Sequence, residues 1–349
     1  MDIKDGLLDV FSALLPPRQR VLALFTAKWT IGALRPIVEL GIPELLAAGP
    51  QTADDLAAAT SVDPDALYRV LRCCAAAGIF AETEGRTFAH TPASDALRMD
   101  VPDTIRDMFL FASDMMMWRP YEDVLHTVQT GETAFDHVFG MSFFEFLKAN
   151  PDRSALFDRA MIQNRYPATN QILDEFDFGR FKKIADVGGG KGQFLADILT
   201  RFPESTGVLC DLPHVVVDAK PVFEAAGVAE RVEIVDTDFF AEVTPGCDAY
   251  LIKHAMHNWN DTDAARIART IRTAIGDDPN ARLLIVDMVL TAPGGWDIGK
   301  LTDIEMLAAL GGRERSADEW HRMLAAEGFE PANDPQPGNL AILEYRAKS

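Results

Sequence analysis

Ile184-Ala185-Asp186-Val187-Gly188-Gly189-Gly190-Lys191-Gly192 decides how this chain folds. An apolar run breaks into glycines and then into a helical pattern starting near Gln193, the junction at which a buried parallel strand turns into a helix. Glycine there allows a tight turn and lets the backbone approach a ligand with no side chain between. The stretch is not a phosphate-cradling P-loop, because Gly192 follows Lys191 where Ser or Thr would be needed. It is also a poor dinucleotide fingerprint: Gly188 and Gly190 fit, but Gln193 stands where a third small residue belongs. That spacing suits a nucleotide-like ligand without a pyrophosphate. An NAD-dependent oxidoreductase is the rival that strand, loop and acid leave open.

Downstream, TGVLCDLP, VEIVDTDFF, CDAYLIKHAM and ARLLIVDMVL are short apolar runs at regular spacing, with helical segments between most of them. GFEPANDPQP and NLAILEYRA close the chain as two last strands. Strands alternating with helices predict an α/β fold whose doubly wound, mostly parallel sheet is covered on both faces. Asp211 ends the second strand, 23 residues beyond Gly188, where a carboxylate can accept from both hydroxyls of a ribose. The third strand runs into Asp236-Thr237-Asp238-Phe239. Asp238 is placed to accept from an adenine amino group, and Phe239 to pack on the ring.

Upstream the grammar is helical. Ala33-Leu34, Ile37-Val38 and Ile42 fall at helical spacing, Thr52 begins a capped segment, and Asp63-Pro64 starts a helix with Leu67, Val70 and Leu71 on one face. IFAETEGRTFAHT then reads as a hairpin about Glu84-Gly85. Helices followed by a hairpin give the winged-helix order, predicted for residues 1–100. Residues 101–175 read as a helical linker rich in Met and Phe, and residues 176–349 as the nucleotide-binding domain.

Charge narrows the partners. Lys and Arg number 33 against 53 Asp and Glu, a net charge of -20, which repels nucleic acid and anionic membranes. The winged-helix segment DPDALYRVLRCC offers only Arg69 and Arg72, too few for a DNA-binding regulator. Its apolar outer faces favour pairing across a two-fold axis as a homodimer. The N-terminus lacks the basic and apolar regions of a secretory signal, and no run approaches the roughly 18 uninterrupted apolar residues of a membrane span. Four cysteines without C-x-x-C spacing suit a reducing cytosol. The expected location is cytoplasmic.

These features, with Lys253-His254-Ala255-Met256-His257-Asn258-Trp259-Asn260-Asp261, resemble the small-molecule O-methyltransferases of the caffeic acid and hydroxyindole type, including bacterial secondary-metabolite enzymes. The resemblance runs over nearly the whole chain. It implies S-adenosyl-L-methionine as cofactor and S-adenosyl-L-homocysteine as product. It further implies an N-terminal dimerisation domain whose segments interlock with the partner's. By position, Gly188, Gly190, Asp211, Leu212, Asp238, Phe239 and Lys253 match the family's cofactor contacts, His257 its catalytic base, and Asp287 and Glu314 the acids flanking that base. Two departures stand out: Asp287 replaces a Glu one methylene longer, so a water could stand between it and His257, and Asn258 replaces an acid beside the base. Non-methylating relatives that hydroxylate or decarboxylate, and N-methyltransferases, are the family's alternatives.

The chemistry agrees with those residue types. A phenol of pKa about 10 is mostly protonated at neutral pH, and an imidazole within about 3 Å can take its proton. Phe111, Met115, Trp118 and Met161 lie in Met- and Phe-rich stretches suited to flat rings, and with Asn258 they are the candidate lining for a planar aromatic acceptor. His254 and His257 lie three apart, but no third ligand is apparent in the sequence, and no metal is expected.

Overall fold

The computed structural model describes residues 16–163, 167–338 and 340–348. Packing divides the chain into two units: one comprises the chain up to Glu122 with Phe144–Asn164, the other Asp123–Phe143 with Arg165–Ser349. The stretch read as a linker is therefore shared between both.

In the first unit, α1 (Pro17–Glu39) has proline at its start and buries Ala33, Leu34, Ile37 and Val38, the apolar positions the helical spacing picks out. After β1 (Gln51–Thr52), the Thr52 hydroxyl accepts from the Asp55 amide at 3.1 Å and caps α2 (Ala53–Thr60). Asp63 accepts from the Ala66 amide at 2.8 Å and caps α3 (Pro64–Ala76), which buries Leu67, Leu71 and Cys74. Such caps satisfy amides that have no partner inside the helix. Then β2 (Phe80–Thr83) and β3 (Thr87–His90) pair antiparallel around a turn in which Gly85 takes φ 71°, and β1 joins the outer side of β3. This is the expected winged-helix order.

The outer face of α1 is apolar and unburied: Leu24 is 69% exposed and Trp29 62%. By length and composition α1 is also long and apolar enough to cross a membrane. Counting only uninterrupted apolar runs passes over it, because Lys28 divides the stretch.

The second unit is built on the predicted sheet. The strands β4 (Lys183–Val187), β5 (Thr206–Asp211), β6 (Val232–Asp236), β7 (Ala249–Lys253) and β8 (Arg282–Leu290) pair in parallel in the order β6-β5-β4-β7-β8. After the two-residue β9 (Arg315–Ser316), which pairs with the end of β8, come β10 (Phe329–Pro331) and β11 (Leu340–Ala347). β11 lies antiparallel on β8, and β10 on β11. One apolar cluster centres on Val208, Ile252, Ile267 and Trp320, another on Leu195, Leu209, Leu251 and Leu284. Strands covered on both faces need near-continuous apolar sequence, and after Arg282 at its start β8 supplies it except at Asp287, which is fully buried. Strand order reverses direction at β4, so the loops after β4 and β7 leave the carboxyl edge of the sheet on either side of the switch point, the place where such folds bind ligands.

Candidate active site

The glycine loop follows from packing as much as from turning. Gly188, Gly190 and Gly192 have φ of 70°, 61° and 81°, a region L side chains avoid. A Cβ on Gly192 would sit 2.2 Å from the Phe223 ring, and one on Gly189 would sit 2.5 Å from the Asp186 carboxyl; one on Gly190 would meet nothing within 4 Å among the described residues. The loop is therefore closed on its protein side and open at Gly190. Gly192 caps α4 (Gln193–Arg201), so the helix amides and their partial positive charge lie at the same loop.

Asp211 braces that loop. One carboxylate oxygen accepts from the Gly190 amide at 2.8 Å and the other from the Leu212 amide at 2.7 Å. Asp238 accepts from the Phe240 amide at 2.9 Å and holds the turn after β6. Phe239 stands against Gly188, where a Cβ would be 3.2 Å away, and packs edge-on to Trp259 with ring centroids 6.3 Å apart. Beneath the loop, Asp186 is buried, and among the described residues neither of its carboxylate oxygens has a hydrogen-bond partner. Burial pushes its pKa up to about 7, assisted by Asp211 and opposed by the Lys253 ammonium. Lys253 is itself held below its ordinary value by burial and lies 5.5 Å over the Phe194 ring. Sequence reasoning passed over Asp186 as part of the strand. An acid at a strand position that otherwise demands apolar residues was the available signal.

Beyond β7 the chain makes a turn, Met256–Asn258, that carries His257. His257 Nδ1 lies 2.9 Å from Glu314 Oε1 and 3.4 Å from Asp287 Oδ1. Glu314 is the hydrogen-bond acceptor, and Asp287 reaches His257 at ion-pair range with no gap for a water between them. Burial alone would lower the imidazolium pKa, but Asp287 and Glu314 outweigh it and raise His257 to about 9. Glu314 is raised by burial against the pull of His257. Asp287 is held below its ordinary value, its burial overcome by the two histidines.

His254 completes the group. Its Nδ1 is 3.5 Å from the same Asp287 oxygen, and burial drives its pKa down to about 4, so it is neutral. Its φ of 49° is unusual for a residue other than glycine and marks a tightly determined backbone. The structure thus corrects the expectation that the His254–His257 pair lacks a third ligand: Asp287 brings its oxygen within 4.8 Å of both. β8 places that acid beside the β7 turn, a juxtaposition invisible in sequence spacing.

Two further residues were missed. A Cβ on Gly312 would fall 2.0 Å from the His257 carbonyl oxygen, so only glycine lets this loop pass under the base. The buried Arg315 donates to the Trp259 carbonyl at 2.9 Å and to Asp261 at 2.9 Å, with its guanidinium 4.8 Å over Trp320. Of the proposed acceptor-lining residues, the Asn258 amide is turned to the His254 carbonyl at 3.4 Å. In the other unit, Phe111 is buried edge-on to Phe157, Trp118 is half-buried, and Met115 and Met161 are exposed.

A glycine loop braced by Asp211 at the carboxyl edge of a parallel sheet, with an imidazole held by two carboxylates beyond the neighbouring strand, fits a Rossmann-like transferase class. Comparison with known proteins places the chain in it. Residues 118–330 match the O-methyltransferase domain and residues 22–100 the O-methyltransferase dimerisation domain, and the chain belongs to this S-adenosylmethionine-dependent methyltransferase family. It is 39% identical to 8-amino-8-demethylriboflavin N,N-dimethyltransferase of Streptomyces davaonensis over 89% of this chain and 90% of that protein. It is 37% identical to phenazine O-methyltransferase PhzM of Lysobacter antibioticus over 95% and 97%. The solved structure of mitomycin 7-O-methyltransferase MmcR superposes with a TM-score of 0.88 at 33% identity, over 98% of this chain and all of that one (100%).

The residues present fit the family's cofactor. Asp186 is a buried carboxyl whose oxygens have no hydrogen-bond partner among the described residues, a group that a cationic amino acid head would satisfy, and the open side of Gly190 leaves room along the backbone.

Proposed function

We propose that this methyltransferase of secondary metabolism methylates a phenolic hydroxyl on a planar aromatic small molecule, with His257 as general base. The observation that carries this reading is His257 Nδ1 held 2.9 Å from Glu314 and 3.4 Å from Asp287. With both acids on one nitrogen, Nε2 is the atom offered to an acceptor. The carboxylates fix that tautomer and stabilise the imidazolium once the proton arrives. S-adenosylmethionine supplies an electrophilic methyl on a good leaving group, so the chain's work is to orient the acceptor oxygen and remove its proton. We assign cofactor contacts to Gly188, Gly190, Asp211, Leu212, Asp238, Phe239 and Lys253, and add Asp186. Acceptor contacts are assigned to Phe111, Met115, Trp118, Met161 and Asn258, and the chain acts as a cytoplasmic homodimer through residues 1–100. The chemistry so written needs no metal.

The likeness to a riboflavin N,N-dimethyltransferase favours a second reading, methyl transfer to an aromatic amine. A neutral aryl amine has a lone pair ready and needs its proton removed only late, so a base prepared on two carboxylates supports oxygen first. Methyl-labelled cofactor offered with a panel of planar phenols and aryl amines tests the choice. Label should appear on a phenolic oxygen, and His257→Ala should lose roughly 10²–10⁴-fold in kcat. Label confined to nitrogen, or undiminished turnover in the variant, would overturn the proposal.

A further inference from the structure

We propose that Asp123, His126 and His137 form a transition-metal site outside the methyl-transfer machinery. The three offer ligand atoms that all lie within 4.8 Å of one another. Asp123 immediately precedes the helix Val124–Thr130, which carries His126 in its first turn, and His137 lies on the next helix, Ala134–Phe139. Gly131 at φ 80° reverses the chain between them, the Thr133 hydroxyl accepts from the Asp136 amide at 3.1 Å, and Phe135 is fully buried. Both histidines are therefore carried on a rigid turn.

Three observations point to a cation. The Asp123 carboxylate pairs with His137 Nδ1. His126 Nε2 is buried and has no hydrogen-bond partner among the described residues, and a buried polar atom left so is costly. A second carboxylate, Glu132, lies 3.4 Å from that nitrogen. Two imidazoles with carboxylate oxygens are the ligand set of Zn²⁺ and its neighbours Co²⁺ and Ni²⁺. The rings stack at 4.0 Å between centroids and 8° between planes, so in this arrangement their lone pairs do not meet at one point. Binding turns the His137 ring out of the stack. Its side chain is 57% exposed, and the terminal torsion of histidine is soft.

Chelator-stripped full-length protein titrated with Co²⁺, followed by visible absorption, and with Zn²⁺, followed by calorimetry, tests this. One equivalent should bind. His137→Ala and His126→Asn should each weaken affinity at least tenfold, and His257→Ala should not change it. Zn²⁺ should raise the Tm of the wild type and leave that of His137→Ala, whose exposed position tolerates the change, where it was. No binding, binding indifferent to His137→Ala, or binding lost only in His257→Ala would overturn the proposal.

Discussion

At His257 two buried carboxylates act on a single ring nitrogen, and at Asp186 a buried carboxyl has no hydrogen-bond partner among the described residues. The consequences have the same sign of shift and opposite meaning. A His257 pKa raised from the usual 6.5 to about 9 adds stability in full below the unfolded value, and this is lost as pH rises through the folded value. Asp186, raised to about 7, holds its proton more tightly folded than unfolded, so its ionised form opposes folding above neutrality. Asp186→Asn should therefore raise the Tm of the ligand-free protein at pH 8 and reduce the further rise produced by S-adenosylhomocysteine, read by differential scanning. A lower ligand-free Tm would contradict that account. His257 was legible through the K-x-x-x-H-x-W-x-D spacing, but Glu314 stands 57 residues away from it. Without the family resemblance, local sequence gives no reason to pair them.

Among the elements, the loop from Gly311 to Ser316 grips the base from below. The π-helical turn Met306–Leu310 ends at Gly311 with φ 74°, and the Arg313 amide donates to the His257 carbonyl at 2.8 Å. Arg315 then ties the same segment to Trp259 and Asp261. Gly312→Ala must push the His257–Asn258 backbone away, and a displacement near 1 Å costs on the order of 10²-fold in rate. Steady-state kinetics should show that loss in kcat with cofactor affinity retained; an unchanged kcat would mean that the loop does not position the base. The inner parallel strands β4, β5, β7 and β8 were legible because burial on both faces forces near-continuous apolar runs; β6, at the sheet edge and largely exposed, was legible from its spacing after β5. The π-helical turn was not, since MLAAL has ordinary helical composition, and neither was β9, whose two residues carry no periodicity.

For the whole molecule, a chain of charge -20 keeps an apolar helix face open on α1, and exposed patches of that kind mark association surfaces. The match of residues 22–100 to a dimerisation domain gives the partner: a second copy. Leu24→Glu with Phe25→Glu should convert a dimer to a monomer in analytical ultracentrifugation; a dimer that persists would move the interface elsewhere. The alternation of strands and helices makes the architecture readable from sequence, whereas the sharing of residues 101–175 between two units is not, because both parts are equally helical. The central claim, that His257 takes the acceptor's proton, is tested most directly by the pH dependence of single-turnover methyl transfer to a phenol. For the wild type the rate should rise with pH and level off near 9, the value to which Asp287 and Glu314 raise the imidazole, and in His257→Gln that limb should vanish. The same limb in both proteins would contradict it.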